Sequence, residues 1–323
     1  MPGRSCPAIV ATVFALGLPA GASAQDFPGS REIRVVSGYP AGTGPDSATR
    51  YVAEMLRKAS GATVVVENRP GALTNVASQY VARAKPDGHT VYVTAGSSSF
   101  AINPHLFNQM PFDPIKDFTP VTSAWKGTFG FAVAQDSPHK TLQDLTAALK
   151  EKKTAIKFGY HSAIGLAAGT LYLTRIGVEG IGVSYKSSPD AHAGLAQHEF
   201  EFMATDLGLM MVPNRRTRPV AVTSAERTRP MADVPSAKEG GLDNYDLGYW
   251  WGLWLPPGAP AKTVETYTAW LDPGLKSEEF AKYIATLGAE PFPGVQGEAL
   301  RAFTARELKT WGEVMALAKV EKQ

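Results

Sequence analysis

From residue 33 onward, short β-rich runs alternate with amphipathic helical stretches, and this alternation limits the folds open to the chain. Ile33-Arg34-Val35-Val36 reads as a strand, Pro45 to Ala59 as a helix, Thr63 to Glu67 as a strand, Thr74–Ala84 as a helix and Thr90–Ala95 as a strand. Such a rhythm implies βαβ units and largely parallel sheets, because two parallel strands need a crossover long enough to hold a helix. In the first helix, Ala48, Tyr51, Val52, Met55 and Leu56 form an i, i+3, i+4, i+7, i+8 stripe. A second set follows Trp125, with strands at Phe129–Ala134, Ile156–Phe158, Gly182–Tyr185, Phe200–Ala204 and Val220–Thr223. Helical patterns at Thr141–Lys152, Leu166–Ile176 and Pro189–Gln197 separate them. After Leu255 only helices are read, around Ala261–Leu271, Glu278–Leu287 and Glu298–Lys319. Helices without strands of their own need a sheet made elsewhere, so this tail is expected to return to the first sheet. The expectation is an α/β chain of two lobes: residues 25–125 plus 245–323 as a discontinuous first lobe, and 126–244 inserted as the second.

The first two dozen residues have a different character. Arg4, the apolar stretch Ala8 to Leu18 and the small-residue site Ala22-Ser23-Ala24 read as an export leader, residues 1–24, removed near Ala24/Gln25. The apolar stretch is too short to span a bilayer, which takes about 20 residues. The single cysteine, Cys6, lies in this leader, so neither a disulfide framework nor a multi-cysteine metal site is expected. A mature chain without cysteine suits an oxidising compartment. With 32 Lys+Arg against 30 Asp+Glu and no basic block, the chain has no electrostatic footprint for nucleic acid.

The turn after the first strand, Gly38-Tyr39-Pro40-Ala41-Gly42-Thr43-Gly44-Pro45-Asp46, is the most informative local feature. A glycine-rich loop opening a helix, with proline in its first turn, exposes backbone N–H groups at the positive end of the helix dipole, where a carboxylate or phosphate can sit. No Walker loop or full Gly-x-Gly-x-x-Gly is present. Tyr39, Ala41, Gly42, Thr43, Gly44 and Asp46 are the candidate binding residues here. Asp46 would repel an anion unless its charge points at the loop's own N–H groups. Ser97 and Ser98 follow the third strand but form no Gly-x-Ser-x-Gly elbow. Asp206 follows an apolar strand, and Tyr160, His161 and Ser162 follow another; ligands of open α/β sheets bind at such strand ends. His192 and His198, six apart, fall on different faces of a helix, so no metal site is read from them. The run Tyr249-Trp250-Trp251-Gly252-Leu253-Trp254 is expected to be mostly core, with Trp250 the candidate ring for a cleft between lobes.

Several blocks, in order along the mature chain, carry a resemblance. These are Val66-Glu67-Asn68-Arg69-Pro70-Gly71-Ala72, Pro86-Asp87-Gly88-His89-Thr90, Ala101-Ile102-Asn103-Pro104 and Pro111-Phe112-Asp113-Pro114-Ile115-Lys116-Asp117-Phe118. Val183-Ser184-Tyr185-Lys186, Ala221 to Arg227, Asp233-Val234-Pro235 and Glu239-Gly240-Gly241-Leu242 continue the series. The chain resembles the substrate-binding proteins of tripartite tricarboxylate transporters, often called Bug receptors.

The resemblance implies a type II periplasmic-binding-protein-like fold with a ligand cleft between the lobes, and a monomeric receptor, without cofactor or metal, that hands a small organic acid to a membrane permease. It also implies that the Tyr39–Asp46 loop holds a carboxylate, although Thr43 interrupts the family's glycine pair. In the second lobe the family's small-residue loop becomes Tyr160-His161-Ser162, bulkier and shorter, and Pro-Tyr-Lys-Gly becomes Ser184-Tyr185-Lys186-Ser187. The carboxylate-gripping end therefore reads as kept and the specificity end as rewritten, which suits a larger or aromatic acid with His161 donating to its far end. Two alternatives stand beside this: an exported hydrolase or lyase using Ser98, His161 and Asp206, and a sensor or partner-binding module on the same fold.

Overall fold

The computed structural model describes residues 27–29, 31–211, 216–318, 320 and 322; the leader read over residues 1–24 lies outside them. The first half runs β1 (Ile33–Ser37), α1 (Gly44–Ser60), β2 (Val64–Asn68), α2 (Asn75–Ala82), β3 (Thr90–Ala95) and α3 (Asn103–Leu106), with a buried π-helical turn at Ser97–Ile102. Then come β4 (Thr119–Ala134), α4 (Leu142–Glu151), β5 (Ile156–Tyr160), α5 (Ala163–Ile176), β6 (Gly180–Ser184), α6 (Ser188–Ala196), β7 (Phe202–Asp206), α7 (Gly208–Met211) and β8 (Thr217–Val222). The chain finishes with β9 (Gly248–Leu255), α8 (Ala261–Leu275), α9 (Glu278–Ala285), β10 (Ala289–Pro291) and α10 (Gly297–Leu317).

Local chemistry sets the element that matters most to the site. Ile33, Val35 and Val36 of β1 are wholly buried, and β1 pairs in parallel with β2 and β3. At the start of α1 the Thr43 hydroxyl accepts the Asp46 N–H, Pro45 occupies the first turn, and Gly61 closes the far end in the left-handed conformation. The predicted stripe is partly core: Ala48, Val52 and Leu56 are buried against the sheet, while Tyr51 stacks on Tyr283 of α9 at 4.2 Å.

The strands follow the order β2-β1-β3-β9-β4-β7-β5-β6, with β8 and β10 also on β4. Sequence led us to expect a strand only at Phe129–Ala134; β4 is sixteen residues long. Its first part, Thr119 to Thr128, pairs with β9 and β10, and its last part, Phe129 to Ala134, pairs with β7 and β8. Pro120, Lys126 and Gly127 interrupt the apolar pattern and hide the first part from a periodicity reading. One strand therefore runs through both lobes. A second departure is β10: a strand does follow Leu255, three residues long and ending in Pro291, paired antiparallel with Trp125–Gly127. The helical tail packs on the first half of the sheet, α8 against α1 and β4, and α10 against β4 and the π-helical turn. Where the chain crosses between the lobes, Thr128 and Thr223 are buried with their hydroxyls 2.9 Å apart, and Thr223 Oγ1 also donates to the Leu247 carbonyl at 2.8 Å.

Candidate functional site

The ends of β1, β3, β5 and β7 meet around a cavity of about 200 Å³ walled by both lobes. On the first lobe, Gly42 adopts φ +80°, a left-handed conformation that costs glycine little. Its N–H donates to Asp46 Oδ2 at 2.9 Å. The same carboxylate accepts Arg50 Nε at 2.9 Å and Asn68 Nδ2 at 2.7 Å, and Asn68 Nδ2 also donates to the Tyr39 carbonyl at 2.9 Å. Asp46 is thus turned into the loop as its brace. Burial alone would raise its carboxyl, but the bonds from Arg50, Asn68 and Gly42 outweigh burial and hold it below the ordinary carboxylate range. Because Gly42 commits its N–H to Asp46, the loop's remaining wall donors are the N–H groups of Thr43 and Gly44, which find no acceptor among the described residues.

Aromatic rings make the body of the wall. Trp125 and Trp251 stack at 4.8 Å and 15°, Tyr39 lies over Trp251 at 5.1 Å, and Phe129 meets Tyr249 edge-on at 5.4 Å. Leu287, in the turn before β10, and Ala289, the first residue of β10, add an apolar side. Beneath that turn Gly288 lies so close to Leu207 that a Cβ there would stand 2.4 Å from the Leu207 Cβ, so the turn bridges the lobes. Among the described residues no lysine or arginine lines this cavity.

The second lobe supplies the polar end. Ser188 Oγ donates to Asp206 Oδ2 at 2.8 Å, and His161 Nε2 lies 3.0 Å from Thr205 Oγ1 and 3.5 Å from Asp206 Oδ2. Burial would raise the Asp206 carboxyl, but the His161 and Ser188 contacts prevail and bring it down to about 2. Ser162 Oγ accepts the Gly165 N–H at 3.2 Å and caps α5.

Of the residues singled out from sequence, Tyr39, Gly42, Thr43, Gly44, Ser98, His161, Ser162 and Asp206 come together on this wall. Asp46 stands behind it as the brace, and Ala41 is exposed outside it. Tyr160 faces an adjoining groove of about 510 Å³ that shares Tyr39, Ser98, His161 and Ser162 with the cavity. Ser97 is buried, and its hydroxyl accepts the Trp250 N–H at 3.4 Å. Trp250 requires a correction. Its ring does not line the cavity but packs under Gly96, where an added Cβ would come within 2.1 Å of it, and its indole N–H donates to Glu307 Oε2 at 3.2 Å. In a strand neighbouring side chains take opposite faces, and Tyr249 and Trp251 have the parity that faces the cavity. Trp125, Phe129, Tyr249, Trp251, Ser188 and Leu287 were not singled out; the aromatic run announced the β9 pair, whereas the others depend on pairing across the sheet.

The catalytic alternative is not assembled, since no hydrogen bond joins Ser98 to His161, whose Nε2 faces Thr205 and Asp206. His192 is buried with Nδ1 2.6 Å from Thr217 Oγ1, while exposed His198 lies 3.3 Å from Asp136. Among the described residues no group of three His, Cys, Asp or Glu side chains could hold a metal, and no helix is long and apolar enough to cross a membrane.

Comparison with known proteins gives one answer. Residues 48–319 match the family model described as the tripartite tricarboxylate transporter family receptor. A UPF0065 protein of Bordetella bronchiseptica is 30% identical over 286 residues, 87% of this chain and 84% of that protein. Protein BugT of Bordetella pertussis is 25% identical over 306 residues, 93% of this chain and 92% of BugT. The structure resembles that of the periplasmic binding protein BugD, with TM-score 0.83 and 27% identity over 90% of this chain and 99% of that one. It also resembles R. palustris Rpa4515 with adipate, with TM-score 0.86 and 26% identity over 92% of this chain and 100% of that one. The family and the structural neighbours are solute-binding receptors and not enzymes. With its two-lobed α/β fold, the chain belongs to the tripartite tricarboxylate transporter receptor family.

Proposed function

We propose that this protein is an exported, monomeric receptor for a small organic carboxylate with an aromatic body, which it delivers to a tripartite tricarboxylate-type permease. The observation that carries the reading is the cavity wall. At one end the Thr43 and Gly44 N–H groups stand free at the N-terminus of α1, and between there and the second lobe the wall is the Tyr39–Trp251–Trp125 stack. A carboxylate held by neutral dipoles needs no buried countercharge, and ring faces give a carbon skeleton apolar area. Size agrees: an apolar cavity of about 150 Å³ accepts benzene, so about 200 Å³ suits one ring with a carboxylate. The adipate-bound neighbour supports the carboxylate class. Lobe closure, with residues 25–125 plus 245–323 moving against 126–244 about β4 and the 243–248 crossing, would admit and release the ligand.

The test is a thermal-shift and calorimetric panel of aromatic and aliphatic carboxylates on the chain starting at Gln25, followed by uptake assays in cells with and without the protein. A binding carboxylate raises stability by RT ln(1 + [L]/Kd). Stabilisation by cations alone, or by no organic acid, refutes the receptor reading; tight binding with uptake unchanged by deletion refutes delivery.

A further inference from the structure

The polar end of the cavity has an uneven carboxylate. Ser188, Thr205 and His161 all approach Asp206 through Oδ2, while Oδ1 accepts no hydrogen bond among the described residues and belongs to a residue on the cavity wall. Among the described residues no lysine or arginine of the wall stands ready to meet a second anionic group. His161 and Tyr249 are the other ionisable side chains at this end among the described residues; burial first, and Asp206 second, push the Tyr249 hydroxyl well up, so it stays neutral. The His161 and Ser188 contacts keep Asp206 ionised at neutral pH.

We infer that Asp206 is a specificity-determining residue: through Oδ1 it accepts a hydrogen bond from a donor at the far end of the ligand, and by its charge it turns away a ligand bearing a second carboxylate there. The inference rests on the receptor reading above and sharpens it to monocarboxylates with a distal hydroxyl or amino group. The free N–H groups of Thr43 and Gly44 take the ligand's carboxylate, and among the polar side chains at the opposite end, which include the His161 ring and the Ser162 and Tyr249 hydroxyls, Asp206 is the one that carries a negative charge. A site that hydrogen-bonds a ligand donor discriminates against the analogue lacking it, because closing over that analogue takes the site's acceptor from water and leaves it unpaired. Like charges brought together in a closed site act as the repulsive element of specificity.

Three rigid probes of similar shape separate the possibilities in calorimetry at neutral pH: benzoate, para-hydroxybenzoate and terephthalate. The expected order is para-hydroxybenzoate tightest, benzoate weaker by about tenfold or more, and terephthalate weaker again by about tenfold or more. In Asp206→Asn the terephthalate-to-benzoate affinity ratio should recover by about tenfold. The wild-type order alone tests the inference should the variant fail to fold. Benzoate binding with terephthalate equally tight, or with no gain from the para-hydroxyl, overturns the role of Asp206 and leaves the receptor reading standing. Failure of all three probes while another carboxylate of the panel binds overturns the inference alone; failure of the whole panel overturns both.

Discussion

The brace behind the β1–α1 loop offers the sharpest test of how the site is held together. Replacing Asp46 by asparagine keeps the shape and removes the charge. The carboxylate takes three donors, from Gly42 and Arg50 on Oδ2 and from Asn68 on Oδ1. An amide has one acceptor oxygen, so whichever way it is turned its NH2 confronts a donor. Flipping Asn68 brings no relief, because its Nδ2 also serves the Tyr39 carbonyl and its Oδ1 accepts from Arg50. Losing one buried charge-assisted bond costs about 1.5–3 kcal/mol. The ion pair with Arg50 adds under about 1 kcal/mol, since that side chain is 51% exposed. We expect Asp46→Asn to lower unfolding free energy by about 2–3 kcal/mol and Tm by about 3–5 °C. A loosened loop should also weaken carboxylate binding by about tenfold, equivalent to 1.4 kcal/mol of site geometry. The sign of the pH dependence follows from the lowered folded-state carboxyl. Its stabilisation is complete above the unfolded value near pH ~3.9 and is lost as pH falls through the folded value. The wild-type advantage over the variant, measured by urea unfolding at a series of pH values, should therefore shrink in acid. A gap below about 0.5 kcal/mol at neutral pH, or one that does not change with pH, would falsify this account of the loop.

Three further outcomes are expected. Trp250→Phe should lower stability by about 1–3 kcal/mol through loss of the Glu307 bond while leaving ligand affinity within about threefold, whereas Trp251→Leu should weaken aromatic carboxylates by about tenfold or more; equal effects of the two in calorimetry would contradict the facing assigned to β9. Gly288→Ala puts a Cβ at φ +75° and 2.4 Å from the Leu207 Cβ, so it should hold the lobes apart, which small-angle scattering of the liganded protein would read as a larger radius of gyration together with weaker binding; an unchanged radius and affinity would dismiss the bridging turn. His192, buried first of all and only partly offset by Asp206, titrates down at about 4, so it contributes about 3 kcal/mol that is full above pH ~6.5 and lost as pH falls towards about 4; denaturation of His192→Gln should be flatter over that window, and an identical pH profile would count against it.

Much of the fold was legible because it lies in short-range patterns. The β1–α1 unit is spelled out by Ile33–Val36, the glycine-rich turn, Pro45 and the stripe through Leu56, and the structure places each where that spelling implies. Legibility failed where an element owes its existence to a partner. Lys126 and Gly127 belong to a strand because β9 and β10 hydrogen-bond to them, and Ala289–Pro291 is a strand only through its pairing with β4. The site divided in the same way. The loop residues and the strand-end residues His161 and Asp206 could be located from position alone, but Trp250 and Trp251 differ only in parity. That parity is set by the register Trp125↔Trp251, which single-sequence periodicity does not contain.

The continuity of β4 has a mechanical consequence. A receptor whose lobes share one strand carries any relative rotation as bending and twist of a single ribbon, as a leaf spring does, without slack. The pairing register slips between Pro120 and Thr122, between Ser123 and Trp125, and between Phe131 and Ala132. Such irregularities are where a ribbon twists most readily. They bracket the Thr128–Thr223 hydroxyl pair, which clamps the middle of the ribbon to the second crossing. Compliance is thus distributed on both sides of a pinned midpoint. Trp125, on the wall of the cavity, sits on the ribbon itself, so any torque between the lobes passes through the same backbone that carries the ring.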